Sequence, residues 1–238
     1  MEYGQFEYDN KKSLDDFGFI ITNINIGMPT PNLILESVPF MQGVYDFSAA
    51  GGETKYNTRN ISITMQKAEY ESRISNLNYE YLKVVNWLCN IQTMQELKLD
   101  YVQGIFKARV ESVTEFSVFN DTTEITINFI AQPFRSWDYY EGHNQWDFMN
   151  FDTDRFQDVK FEVIDNDYKK EITLYNQSVT TAKPIIEVVG TVNLTFSGLD
   201  YNFTDGTYKN TIKLDKGENI LKISGYGTIE FKWQRELI

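Results

Sequence analysis

Alternating apolar and polar positions predict β-strands along most of the first half of the chain. The segments with this pattern are residues 3–8, 17–26, 61–66, 96–100, 104–118 and 122–132. The segment at about 76–90 instead carries apolar residues at helical spacing, namely Leu77, Tyr81, Val84, Val85 and Leu88. The first half is therefore predicted to be a β-structure packed against one amphipathic helix.

The second half predicts short strands separated by turns, and its pattern calls for no helix. The predicted strands are residues 159–164, 171–176, 184–189, 191–197, 199–203, 209–214, 219–224 and 227–233. Many short strands at close spacing are typical of an antiparallel sandwich. The fold class is therefore mainly β, with the helix confined to the first half.

Residues 27–57 break the regular pattern, because they hold three of the five prolines and four glycines. Apolar residues nevertheless lie between these breakers, at Leu33, Ile34, Leu35, Val38, Phe40, Val44, Tyr45 and Phe47. A long irregular segment with apolar groups is usually functional or ordered by a partner. A hairpin packed on its own domain is the alternative.

A change of character follows residue 132 and predicts a domain boundary. Pro133 has no N–H and is expected to end the pairing of the strand before it. The next residues are aromatic and acidic without a period, and Trp137 and Trp146 are expected to pack at the seam with Pro133. The predicted domains are residues 1–135 and 136–238.

The charge of the chain argues against nucleic acid and anionic membranes as partners. Its net charge is −12, from 34 acidic and 22 basic residues, and no basic tail or stripe is present. The single cysteine, Cys89, excludes an internal disulfide and is expected to be buried in the helix. An acidic N-terminus and the lack of an apolar run of ~20 residues predict cytoplasmic synthesis without a signal peptide or membrane span.

No catalytic, metal or cofactor site emerges from the motifs. His143 is the only histidine, and its neighbours EGHNQW are typical of a loop. The D-X-D pairs at 152–154 and 165–167 lack the other ligands of a calcium loop. Two facing carboxylates cannot be recognised in a chain with 34 acidic residues, so an acidic glycan hydrolase remains a minor alternative.

Aromatic residues leave a second alternative open, a carbohydrate-binding module that recognises host cell-wall glycans. Exposed rings can stack on sugars, and the candidates are Trp137, Trp146, Tyr139, Tyr140, Tyr201 and Tyr208. Packing in a core or an interface is the other interpretation of the same residues.

The order of several motifs resembles the distal tail protein (Dit) family of long-tailed, siphovirus-type phages. In the first half these motifs are SLDDFGFIITNINI, GVYDFS, VNWLCN, ELKLD, GIFKARVESV and ITINFIAQPF. In the second half, TTAKPIIEVVG and KGENILKISGYGTIEFKWQREL look like the galectin-like β-sandwich appended in that family. The resemblance covers nearly the whole chain.

The resemblance implies a structural protein of the virion tail tip, not an enzyme. It implies that residues 1–135 form a β-sandwich that assembles as a homohexameric ring. The ring would be a baseplate hub between the tail tube protein and the tail-associated lysin or tail fibre protein. The galectin-like domain would project outward, toward a receptor-binding protein or a host glycan, although the chain has no room for the large carbohydrate-binding insertions of some members.

The resemblance also suggests a role for the irregular segment, because the matching region of the family extends toward the neighbouring protomer. Apolar side chains such as Phe40, Val44, Tyr45 and Phe47 would be costly to expose to water in an isolated chain. In a closed ring every copy has a neighbour that can cover them. These four residues are the predicted ring interface.

Overall fold

The computed structural model describes residues 4–68, 74–114, 118–119, 122–143 and 155–238. The chain forms two compact units. The first runs up to Arg135 and includes Ile238, and the second runs from Ser136 to Leu237.

The first unit is an antiparallel sheet with one helix. Its elements are β1 (Phe6–Tyr8), β2 (Lys11–Lys12), β3 (Phe19–Ile26), β4 (Leu35–Glu36), β5 (Tyr45–Asp46), β6 (Arg59–Lys67), α1 (Ile74–Cys89), β7 (Gln95–Leu99), β8 (Val102–Val113), β9 (Val118–Phe119) and β10 (Thr122–Ser136). The main path of the sheet has the order β2-β1-β7-β8-β10-β6-β3. β3 therefore lies at an edge, and β4 and β5 pair only with each other.

The core of the first unit lies between the sheet and α1. Side chains at alternate positions of β6 point inward, as the period of a strand requires, and Ile61, Ile63 and Met65 are buried. From the helix, Val84, Trp87 and Leu88 complete the same buried cluster. The predicted helix face therefore packs on the sheet, with Trp87 as an additional member.

The prediction that Cys89 is buried is wrong. Cys89 is the last residue of α1, and its side chain is exposed. Leu82 and Asn86 precede it by seven and three residues, and both are exposed. Residues at this spacing lie on one side of a helix, so Cys89 belongs to the solvent side and not to the packed face.

The predicted strand 122–132 is too short, because β10 continues to Ser136. The predicted end of pairing agrees with the structure on one side of the strand, where the ladder to β6 stops just before Pro133. The carbonyl of Thr126 accepts a backbone hydrogen bond (2.9 Å) from the residue that follows β8. Backbone groups of successive residues in an antiparallel strand point to alternate neighbouring strands. Pro133 is seven residues after Thr126, so its nitrogen points away from β8 and toward β6. The pairing of β10 with β6 has already ended at Ala131 and Arg59. Proline therefore removes no hydrogen bond of the β10–β6 ladder at this position.

The second unit contains fewer and longer strands than the sequence predicts. They are β11 (Lys160–Asn176), β12 (Ile185–Phe196), β13 (Leu199–Phe203), β14 (Gly206–Tyr208), β15 (Gly217–Lys232) and β16 (Glu236–Leu237). The sheet has the order β11-β15-β12-β13, and β14 pairs with β12. Leu214, at the end of a predicted strand, makes only an isolated bridge with Ala182.

Each of the three long strands β11, β12 and β15 joins two strands that the sequence predicts as separate. In β12 and β15, glycines explain the difference. Gly190 in β12 and Gly225 and Gly227 in β15 have positive φ angles of 95°, 126° and 148°. Gly190 and Gly227 are direct partners across the two strands. The glycines therefore bend continuous strands instead of ending them, which is how glycine acts inside a strand. In β11 the two predicted strands join across a register shift between Asp165 and Lys170.

The core of the second unit is built from alternate positions of its long strands. Leu221 and Ile223 of β15 lie beside Leu194 of β12, and Phe231 lies further along the same strand. With 55% strand and 7% helix, the structure confirms the predicted mainly β fold. It likewise confirms the single helix among the described residues.

Candidate functional site

Residues 27–58 form an arm that continues the β3–β6 pair beyond the sheet. β3 and β6 are antiparallel up to Ile26 and Ile61, and the Gly27 N–H then donates to the Asn60 carbonyl (2.8 Å). A Cβ atom at Gly27 would lie only 2.8 Å from that carbonyl oxygen, so this close approach favours glycine. The arm thus begins as an extension of a buried ladder.

Backbone hydrogen bonds hold the two chains of the arm together. Near the sheet, the Asn57 N–H donates to the Thr30 carbonyl (2.8 Å) and the Asn32 N–H to the Lys55 carbonyl (2.7 Å). Further out, β4 and β5 pair, and the Phe47 N–H donates to the Ile34 carbonyl (2.9 Å). The arm is therefore a defined hairpin despite its three prolines.

The four predicted ring-interface residues all lie exposed on this hairpin. Phe40 is fully exposed, and Val44, Tyr45 and Phe47 are 52%, 53% and 48% exposed. Neither of the two buried apolar clusters includes a residue of the arm. The alternative prediction, a hairpin packed on its own domain, does not agree with these exposures.

The exposed apolar surface of the arm is wider than the four predicted residues. Leu33, Ile34, Leu35 and Val38 are each about half exposed, in line with their place in the irregular segment. Met28, which is not among the residues predicted from the sequence, is also exposed. Met28 follows Gly27, where the alternating strand pattern stops, and this position could have placed it in the irregular segment.

A polar contact fixes the outer part of the arm. The Asp46 carboxylate accepts a hydrogen bond from the Ser48 N–H (2.8 Å). Hydrogen bonds from the Ser48 side chain and backbone lower the pKa of Asp46 from its ordinary value. The Ser48 hydroxyl oxygen in turn accepts from the Ile34 N–H (2.8 Å), so Asp46 is linked to the opposite chain of the hairpin.

The predicted seam residues have separate environments. Trp137 is buried in the second unit, where the Arg235 guanidinium lies 4.2 Å from its ring centroid. The backbone N–H of Trp137 donates to the backbone carbonyl of Arg235. Pro133 is half-buried in β10. Trp146 lies outside the described residues. The seam itself stays a prediction.

The structure brings no catalytic group of residues together in the part that it describes. His143 follows a turn, with the Tyr139 ring 5.0 Å from its own ring. Among the described residues, no three His, Cys, Asp or Glu side chains are grouped to hold a metal ion. Of the D-X-D pairs, Asp152 and Asp154 lie outside these residues and Asp165 lies in β11.

Among the described residues, the predicted sugar-stacking aromatics lie in different environments. Trp137 is buried, and Tyr201 and Tyr208 pack against Phe203, at ring distances of 6.2 and 4.7 Å. Tyr140 is about half exposed. No helix in the described part of the chain is long and apolar enough to cross a membrane. The exposed apolar residues of the arm remain the candidate binding surface.

Comparison with solved structures identifies a protein with the same fold. The crystal structure of the SPP1 Dit protein matches over 100% of both chains, with a TM-score of 0.69 and 13% sequence identity. That protein is described as a paradigm of the hub adsorption apparatus in Gram-positive infecting phages. The predicted resemblance to distal tail proteins is therefore confirmed at the level of the fold.

Two further structures show the phage p2 baseplate in its activated conformation. The form with Sr matches with a TM-score of 0.44 and 12% identity, over 100% of this chain and 99% of the other. The form with Ca matches with a TM-score of 0.45 and 11% identity, over 99% of both chains. No protein family model and no curated protein matches the chain.

Proposed function

We propose that this protein is a structural hub of a phage tail tip, a member of the distal tail protein family that assembles as a homohexameric ring. The arm supports this proposal most directly. It exposes Phe40, Val44, Tyr45 and Phe47 while its backbone remains hydrogen-bonded. An ordered hairpin with this much exposed apolar surface is typical of a protein interface. The full-length likeness to the fold of the SPP1 Dit protein also supports it.

In this proposal the arm of each copy packs against the next copy around the ring. Head-to-tail contacts of this kind form a closed ring when the rotation between neighbouring copies is a whole-number fraction of a full turn. The ring joins the tail tube protein to the tail-associated lysin or tail fibre protein. The second unit is available to a receptor-binding protein or a host glycan. The protein acts in assembly and host attachment and not as an enzyme, and it is located at the tail tip of the virion.

Replacing the apolar side chains of the arm tests the proposal. The variant Phe40→Ser, Val44→Ser, Tyr45→Ser and Phe47→Ser keeps the backbone of the arm and removes its apolar surface. We expect the wild-type protein to form six-subunit particles by light scattering and ring-shaped particles by electron microscopy. The arm variant should remain a folded monomer with an unchanged circular dichroism spectrum, because the apolar contacts that drive association are lost.

A matched control carries the same number of substitutions in the second unit. Ile164, Val189, Leu199 and Tyr226 are also exposed apolar residues, and serine at these four positions should leave the ring intact. Rings of unchanged mass in the arm variant would contradict the assigned interface. A wild-type protein that is monomeric at every concentration, and that binds a cell-wall glycan, would instead favour the carbohydrate-binding alternative.

A further inference from the structure

Two arginines near the base of the arm hold buried donors without acceptors. Arg59 is only 3% exposed, and its Nε and Nη2 atoms have no hydrogen-bond partner among the described residues. The Nε atom of the half-buried Arg135 likewise has none. Buried guanidinium groups are normally paired with a carboxylate or another acceptor.

The Phe106 ring is a favourable neighbour for both arginines, but it does not neutralise their positive charges. The guanidinium carbons of Arg59 and Arg135 lie 5.6 and 5.8 Å from the centroid of the Phe106 ring. This contact favours a cation, but a neutral ring cannot accept the remaining N–H groups as a carboxylate does. Burial, and secondarily the positive charge of Arg135, lowers the pKa of Arg59. Two like charges are thus held together without a counter-ion from the described residues.

The arginine pair lies where the arm leaves the sheet. Arg59 begins β6, two residues after Asn57, which is bonded across the arm to Thr30. Phe134, the neighbour of Arg135, packs against Tyr56 of the arm with ring centroids 5.3 Å apart. The arginine pair therefore lies close to the surface at which neighbouring copies meet in the proposed ring.

The arm carries a carboxylate that lacks a partner of its own. Glu36 in β4 is exposed and makes no hydrogen bond or ion pair with the described residues. The other acidic residues of the arm are already engaged, Asp46 by Ser48 and Glu53 by Lys55 at 3.2 Å. The arm thus offers one free carboxylate, and the base of the arm offers two arginines without one.

We propose that Arg59 and Arg135 form a carboxylate-binding site, and that Glu36 on the arm of a neighbouring copy occupies it. The identity of the occupant rests on the ring of the proposed function, whereas the binding site itself does not. Arg135 is the more exposed of the two and meets the carboxylate first, whereas Arg59 is almost fully buried. The site would fix the position of each copy relative to the next copy in the ring.

The binding site can be tested without assembly, with acetate as the probe at neutral pH and chloride at matched ionic strength as the reference. The arm variant with four serines supplies a monomer for this test. Acetate should raise its melting temperature by about 2–4 °C over chloride, because a ligand that binds only the folded state stabilises it. Adding Arg59→Gln or Arg135→Gln should abolish this rise. Adding Arg109→Gln, which removes an exposed arginine from the same sheet, should preserve it.

A reversal of charge tests the source of the carboxylate in the full chain. Arg135→Glu or Glu36→Arg alone should weaken association by about thirtyfold or more, because each leaves a charge in the interface opposed or unpaired. Arg135→Glu should at the same time raise the melting temperature of the monomer, since it gives Arg59 an internal partner. The double variant Arg135→Glu with Glu36→Arg should recover most of the association.

The outcomes separate the two proposals. An acetate effect that persists in both arginine variants would overturn the binding site, even if rings form. Rings that are weakened by both single substitutions but not restored in the double variant would overturn Glu36 as the occupant. Absence of rings in the wild-type protein, with the acetate effect present, would overturn the hub proposal and the neighbouring copy while leaving the carboxylate site standing.

Discussion

The indole nitrogen of Trp87 donates a hydrogen bond to the backbone carbonyl of Tyr8, at 3.1 Å. The bond links the end of α1 to β1, and both side chains are buried. The Trp87 ring also stacks on Phe17, with ring centroids 4.5 Å apart. One tryptophan therefore joins the helix to the N-terminal part of the sheet by both a polar and an apolar contact.

Replacing Trp87 with phenylalanine should lower the free energy of unfolding by about 1–3 kcal/mol, because the Tyr8 carbonyl loses its donor inside the core. Denaturant unfolding measured by circular dichroism checks this value. Leu82→Ala, on the exposed side of the same helix, is the control and should cost clearly less. Equal losses in the two variants would show that the hydrogen bond adds nothing beyond helix propensity.

Substituting the glycine at the bend of β12 should destabilise the second unit strongly. A Cβ atom at Gly190 would lie 2.3 Å from the Tyr226 carbonyl oxygen, and the φ angle is 95°. Gly190→Ala should therefore cost at least about 3 kcal/mol, from strain and backbone displacement together. Gly198→Ala has a similar angle, 77°, but no atom within 4 Å, and should cost only about 1 kcal/mol. Equal losses of stability in the two variants, measured by thermal unfolding, would show that the Tyr226 carbonyl does not restrict position 190 to glycine.

The position of Pro133 predicts an asymmetry between neighbouring residues of β10. Pro133→Ala should change the free energy of unfolding by less than about 1 kcal/mol, because the proline nitrogen faces a side where pairing with β6 has ended. Gln132→Pro should cost about 3 kcal/mol or more, because the N–H of residue 132 points toward β8. The denaturant midpoints of the two variants measure these changes. A small loss of stability in Gln132→Pro would contradict the assignment of the residue 132 N–H to the β8 side.

The arm should lose part of its order in acid. Hydrogen bonds from Ser48 lower the pKa of Asp46, so their contribution is present above the ordinary aspartate pKa and is lost as the pH falls through the lowered value. NMR titration of the Asp46 carboxyl group should show this low pKa, and Ser48→Ala should return it toward the ordinary value. Ser112→Ala, in β8, should leave it unchanged. An ordinary pKa in the wild-type protein would contradict the hydrogen bonds of the arm.

The local pattern of the sequence was enough to determine the mainly β fold, the helix of the first unit and the unusual character of residues 27–57. These properties depend on spacing within one element, which a single chain displays directly. The inward position of Arg59 was also readable, because it shares the parity of Ile61 and Ile63 in β6. The strand segments of the second unit were recognised, but their lengths were not.

The tertiary structure decided features that depend on what lies opposite a residue. Gly190 is a bend and not a turn because Gly227 faces it across two long strands. Pro133 removes no hydrogen bond from the β10–β6 ladder because that ladder has already ended at Ala131. Arg59 and Arg135 are far apart in sequence, and both lie near the Phe106 ring only because β6 and β10 pair in one register. Register joins residues distant in sequence, and no local pattern in a single chain contains that information.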